Sequence, residues 1–184
     1  MKIKKNIKVT LLLVFIFSFM KVDISYANIS ESINFNNITI EDGLSQSTVE
    51  TIFQDSRGYI WIGTNDGLNR YNGYEFKYYK HDKYDKNSLV NNYIVHIAED
   101  KDGYIWVSTL GGLSKIDPKN DEIKNYYSKE DNGNLSNNNI WQILCTNNNK
   151  VIIATVDGLN LYDRKEDKFT RILDKEQVLM IMYL

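Results

Sequence analysis

Apolar and polar positions alternate along this chain in one recurring order. The run "GYIWIGTNDGLNRYN" at residues 58–72 reads as a strand, a tight turn at Asp66-Gly67 and a second strand. The same wording returns as "GYIWVSTLGGLSKID" and, weakened, as "KVIIATVDGLNLYD". Ile60-Trp61-Ile62 aligns with Ile105-Trp106-Val107 at an offset of 45, and that run aligns with Val151-Ile152-Ile153 at an offset of 46. The same steps carry Leu44 to Leu89 to Leu135, Val49 to Ile94 to Ile140, and Ile52 to Ile97 to Ile143.

Each unit reads as four short strands. The first is "TVETIFQD", "YIVHIAED" or "NIWQILCT". The second holds the apolar run and is apolar on both faces, as a strand covered by neighbours on each side must be. The third is "LNRYN", "LSKID" or "LNLYD", and the fourth "YEFKYYK", "EIKNYYS" or "KFTRIL". Gly58 and Gly103 close the first turn, and Gly67, Gly112 and Gly158 close the second, where positive φ is needed. In the third unit Asn147-Asn148-Asn149 replaces the first-turn glycine, and Asn tolerates the left-handed region. Ile152 stands where the other units have Trp61 and Trp106, and Trp141 is expected to fill that space from the strand before.

Four strands per repeat of 40–50 residues is the signature of a β-propeller blade. The predicted fold is therefore all-β: three four-stranded antiparallel blades plus an N-terminal closing strand, in an incomplete ring. The expected organisation is a signal peptide at 1–27, the closing strand (Ile38, Ile40) and entry loop at 28–46, and blades at 47–90, 91–136 and 137–173. An off-pattern tail occupies 174–184. A β-sandwich would not repeat its sequence at a fixed interval. A ring needs about four blades or more, so three do not close. The tail "DKEQVLMIMYL" matches no repeat position, and a truncated piece is the expectation. A natural three-blade arc that self-associates through its exposed last blade face is the alternative.

Composition agrees with β structure, with 12% aromatic residues including 13 Tyr. The start of the chain pairs "MKIKKNIK" with the apolar run "VTLLLVFIFSFM" and small residues at Ser25 and Ala27. This layout predicts export with cleavage after Ala27, to the periplasm or beyond; an uncleaved segment would be the only membrane tether. Residues 1–27 hold five Lys and one Asp, so the rest carries 17 basic and 23 acidic residues, a formal charge of −6. An acidic body argues against nucleic acid. Cys145 is the only cysteine, which excludes an internal disulfide and reads as a small hydrophobe in a strand.

Candidate chemistry is sparse. The only histidines, His81 and His96, lie in a polar connection and on an inner-type strand. No spacing suits a metal, no cofactor motif is present, and "DKYDKN" and "DPKNDE" read as solvated loops. No catalytic constellation appears, so no enzyme is expected. A ligand would meet one face, where the second-to-third-strand turns adjoin the entry loops. That face offers Asn65, Asp66, Asn91, Asn92, Asn138, Asn139 and Asp157 as hydrogen-bonding groups, or simply as turn formers.

The paired wording "TVETIFQDSRGYIWIGTNDGLNRYN" and "IVHIAEDKDGYIWVSTLGGLSKID" resembles the two-component regulator propeller repeat over about residues 34–173. "ITIEDGLSQSTV" resembles the usual entry to its first blade. The resemblance implies an extracytoplasmic sensor of a receptor that ends in a histidine kinase or cyclic-dinucleotide synthase, with carbohydrate fragments as ligands. This chain carries no kinase box, nucleotide loop or synthase motif, so output is expected to lie elsewhere. The other readings are a propeller-type polysaccharide lyase or hydrolase fragment, and a non-functional gene fragment.

Overall fold

The computed structural model describes residues 35–128, 135–174 and 176–177. The predicted signal segment and its cleavage site, and almost all of the tail, lie outside the described residues. From Asn37 onward the chain forms one unit.

Twelve strands follow in order: β1 (Val49–Gln54), β2 (Ile60–Thr64), β3 (Gly67–Tyr71), β4 (Phe76–Tyr79), β5 (Ile94–Glu99), β6 (Ile105–Thr109), β7 (Gly112–Asp117), β8 (Glu122–Tyr126), β9 (Ile140–Cys145), β10 (Val151–Thr155), β11 (Gly158–Asp163) and β12 (Lys168–Asp174). They form three four-stranded antiparallel sheets, each a meander in sequence order. The first strand β5 meets β1 on one side and β9 on the other, so the sheets fan out from a common inner edge without closing into a ring.

The predicted turn glycines Gly58, Gly67, Gly103, Gly112 and Gly158 all take positive φ, and Asn149 takes the same region at 61° in the third unit. Gly158 is the strictest position. A Cβ there would stand 2.1 Å from the Leu173 carbonyl oxygen.

The expected closing strand is absent over its described part. Residues 37–46 carry no strand, and Ile38 and Ile40 are exposed. Instead Asp42 accepts the Thr39 amide and hydroxyl, which curls the segment into a turn. A strand would need a free sheet edge beside it, and this segment pairs with none.

The register shows which side chains share a face. Trp61 stands opposite Arg70, Leu68 opposite Tyr79, and all four point toward the next blade. Ile97, Ile105, Val107 and Ile116 point back from the second blade and form one core with Trp61, Leu68 and Tyr79. Trp106, Leu113 and Tyr126 meet Ile143, Val151, Ile153, Tyr162 and Phe169 of the third blade in the same way. Position decides burial. Ile52, Ile97 and Ile143 are repeat equivalents, yet Ile52 is 66% exposed while the other two are 3% exposed, because only the first lacks a blade behind it.

Each junction carries the same polar ties. The Trp61 indole N–H donates to Asp55 at 2.9 Å and that of Trp106 to Asp100 at 2.8 Å. Both carboxylates also accept amides of their own turns. At the rim, Tyr79 and Lys77 donate to Asp121 of the second blade, and Tyr126 and Lys124 donate to Asp167 of the third. Asp121 and Asp167 occupy matching turns in the left-handed region, at φ 61° and 52°. "DPKNDE" is therefore more than a solvated loop, since its Asp121 clasps two blades. Partial burial pushes the Asp167 carboxyl up, but donation by Lys124, Tyr126 and Tyr162 outweighs it and holds the group at about 2.

The third blade departs from this pattern on its forward face. Ile152, Leu161 and Leu173 stand where the first two blades have Trp, Arg or Lys, and Tyr. Thr146 replaces the carboxylate that would hold a Trp. Trp141 does not fill the gap: it is 60% exposed.

Two predictions follow from the junctions. A Cβ on Gly63 would lie 2.5 Å from Ile94 Cγ2 and 2.7 Å from Thr51 Cγ2. Gly63→Ala should therefore lower stability by about 1–3 kcal/mol in urea unfolding. The depressed Asp167 group contributes stability above the ordinary carboxylate range and loses it as pH falls toward about 2. The urea midpoint should drop between pH 5 and pH 2.5, and Asp167→Asn should lower it at pH 5 and flatten that drop.

Candidate functional site

The face expected to meet a ligand is built from three two-residue turns, closed by the pairs Thr64–Gly67, Thr109–Gly112 and Thr155–Gly158. The buried threonines do much of the work. Each donates its hydroxyl to the glycine carbonyl across the turn, at 2.8, 3.0 and 3.1 Å, and accepts an amide from within the turn. Thr64, Thr109 and Thr155 keep the repeat offsets, so their role was visible in the spacing although Asn and Asp draw attention first.

Two fully buried asparagines fix the entry loops. Asn69 accepts the Ser45 amide and donates to Ser45 Oγ and the Ile62 carbonyl. Asn160 does the same for Ser136 and Ile153. In the second blade Ser114 takes the position; it accepts the Val90 amide and donates to Asn125.

The seven candidate residues divide by what they already hold. Asp66 accepts Lys80 at 2.6 Å and the Asn92 side-chain amide at 3.3 Å, while Asn92 accepts the His81 amide. Asn91 accepts the Tyr93 amide. Asn138 accepts the Ser128 amide, and Asp157 accepts the Asn137 side chain. These five close turns and tie loops together. Asp66 and Asn92 are brought together, and Asn138 and Asp157 belong to a separate entry. Asn139 is exposed, and the Asn65 side-chain oxygen Oδ1 is buried without a partner among the described residues.

His81 Nδ1 meets the Leu89 carbonyl at 2.7 Å. His96 is half-buried on β5, opposite Ser108 in the register; neither His96 Nδ1 nor Ser108 Oγ has a partner among the described residues. Burial lowers the His96 pKa, which keeps the imidazole neutral at physiological pH. Burial pushes the Cys145 thiol up to about 12, well away from a reactive thiolate. No group of three metal-ligating side chains occurs among the described residues.

At the opposite end, a groove of about 490 Å³ is lined by Arg57, Glu99, Asp100, Asp102 and Cys145. Its carboxylates are already engaged: Glu99 accepts the Ser56 amide and hydroxyl, and Arg164 donates to Asp100 and Asp102.

With this geometry in place, comparison with known proteins identifies the repeat. The two-component regulator propeller family matches residues 43–66 and 88–111, the entry-to-turn portions of the first two blades. Over 76 residues the chain is 41% identical to a histidine kinase of Formosa agariphila, a stretch that is 41% of this chain and 5% of the kinase. Two solved structures from B. thetaiotaomicron share the arrangement. The extracellular domain of a hybrid two-component system is 26% identical at a TM-score of 0.69, over 78% of this chain and 20% of that one. The extracellular domain of a one-component system is 25% identical at a TM-score of 0.59, over 76% and 18%. A virginiamycin B lyase from Staphylococcus aureus is 16% identical at a TM-score of 0.51, which is a likeness of fold. The chain thus spans a fifth or less of these two extracellular domains and of the kinase.

Asn160→Ala removes two donors and one acceptor from a fully buried position, and should cost about 2–4 kcal/mol in urea unfolding. It should also raise amide exchange at Ser136 and Asn137 ahead of the β-strands. An unchanged Ser136 would mean that Asn160 does not hold the entry loop.

Proposed function

We propose that this chain, built on two-component regulator propeller repeats, is part of an exported ligand-sensing propeller whose output module belongs to other parts of the receptor. The observation that carries this reading is the 26% identity, at a TM-score of 0.69, to an extracellular sensor domain over 78% of the chain. The kinase relative points to the same setting. Export fits the basic and apolar start of the sequence.

The loop-bearing face is the ligand face in this reading. Its backbone is held rigidly by buried Thr and Asn, so exposed groups around it can be presented without ordering a loop on binding. The reading assigns the chain binding and no reaction, since most of the candidate side chains on this face are engaged in turns and loop ties.

The arc works as a portion of a larger ring. Its first blade exposes Ile52 to the rear, and its third exposes Leu144 forward. These are positions that the internal junctions bury. Sedimentation of the purified chain should therefore show association, and Ile52→Lys with Leu144→Lys should return it to monomer with an unchanged β spectrum. A cooperative, compact monomer of the unsubstituted chain would contradict the partial-ring reading.

Sensing is tested by melting the chain against glycan, peptide and amine panels. The reading expects one class to raise Tm and to be recovered chemically unchanged. Recovery of a cleaved compound would assign an enzyme instead.

A further inference from the structure

The three inner strands share an irregularity at the ligand-facing end. In β1 the ladder to β2 shifts between Val49 and Thr51, in β5 the ladder to β6 shifts between Ile94 and His96, and in β9 the partners of Thr155 and Ala154 are Ile140 and Gln142. Each shift is a bulge, and the bulged residues are Glu50, Val95 and Trp141. All three sit one residue into their strands, at the same offsets as the rest of the repeat. A bulge re-aims a side chain away from the ladder and often marks a functional position. Here three of them lie side by side on the inner edge, beside the turn-bearing face.

What they present is uneven in a useful way. Trp141 is 60% exposed, whereas Trp61 and Trp106 are fully buried. No cation of the described residues lies over the Trp141 ring. The exposed Glu50 carboxylate accepts the Tyr93 hydroxyl at 3.1 Å, and no cation of the described residues pairs with it. Between them, on the middle blade, stands the apolar and half-buried Val95.

Both ends of this row attract positive charge: the carboxylate by Coulomb attraction, the indole face through its quadrupole. The middle offers a hydrocarbon surface. We propose that the inner-edge row Glu50–Val95–Trp141 binds a linear alkyl polyamine. One ammonium pairs with Glu50, the methylene chain crosses Val95, and a second ammonium stacks on Trp141. The row rests on the loop-bearing face being the ligand face, and it names the ligand chemistry of that face. Tyr93 is a positioning residue, because it fixes the Glu50 carboxylate from the adjacent blade.

The probe is spermidine at low ionic strength, titrated into the purified full chain while tryptophan emission and iodide quenching are followed. Trp141 is the one exposed indole of the three, so the quenchable fraction of emission reports it directly. Saturable protection of that fraction is expected. Glu50→Gln and Trp141→Ala should each weaken spermidine binding, read by calorimetry, by about tenfold or more. Emission from the buried Trp61 and Trp106 reports that Trp141→Ala is folded. Glu41→Gln removes an exposed acid elsewhere and should leave binding unchanged. Equal weakening by Glu41→Gln, no protection of Trp141, or undiminished binding in Glu50→Gln would each overturn the proposal. If a neutral sugar oligomer or a peptide protects Trp141 and spermidine does not, the polyamine assignment falls while the sensor reading stands. If a compound raises Tm without touching Trp141, the inner-edge row falls in the same way.

Discussion

Every blade in this protein depends on the one beside it. The decisive contact is the stacking of a forward face, centred on Trp61 or Trp106, onto the apolar rear face of the next sheet. Both indoles are fully buried, and each has its N–H satisfied by a buried carboxylate six residues earlier. Truncating a buried Trp of this kind costs about 3–5 kcal/mol, a large share of the stability of a small domain. A single four-stranded meander with both faces apolar has no stable solution in water alone. The contrast between exposed Ile52 and buried Ile97 and Ile143 shows the same constraint from the other side.

The polar clasps decide how the sheets stack, more than how strongly. Asp121 and Asp167 each receive a Tyr hydroxyl and a Lys from the preceding blade, at the rim where a sheet could otherwise slide or splay. The two ends of the arc lack these parts in complementary ways. In the first blade the turn between β3 and β4, Asn72 to Glu75, has no aspartate in it, whereas the matching turns end in Asp121 and Asp167. The third blade has Leu161 and Leu173 where the others present Lys or Arg and Tyr. Junctions inside the arc are therefore aromatic and clasped, while both free faces are suited to plain hydrophobic packing.

Much of this was legible in the spacing of the sequence. Twelve strands, their turns and the three-sheet order follow from positions that keep offsets of 45 and 46, because burial by a like neighbour imposes the same residue type each time. What was missed has physical causes. Asp55 and Asp100 look like ordinary turn residues, and their bond to Trp is visible only once it is seen that Thr146 and Ile152 change together. Trp141 was expected to fill a core space, but a bulge alters which side of a strand a residue occupies, and no local pattern announces it. Ile38 and Ile40 have the alternation of a strand, yet a strand exists only where an edge is free to pair. The candidate site was partly legible: the Asn and Asp residues do cluster at one face, but most are spent on the turns that build it.

Amide hydrogen exchange along the chain tests the dependence of each blade on its neighbours most directly. The middle blade is covered on both faces, so β6 and β7 should be the slowest to exchange, with β1 and β12 the fastest of the strands. Protection in the first or third blade equal to that of β6 and β7 would show that blades are stable by themselves, and would contradict the account.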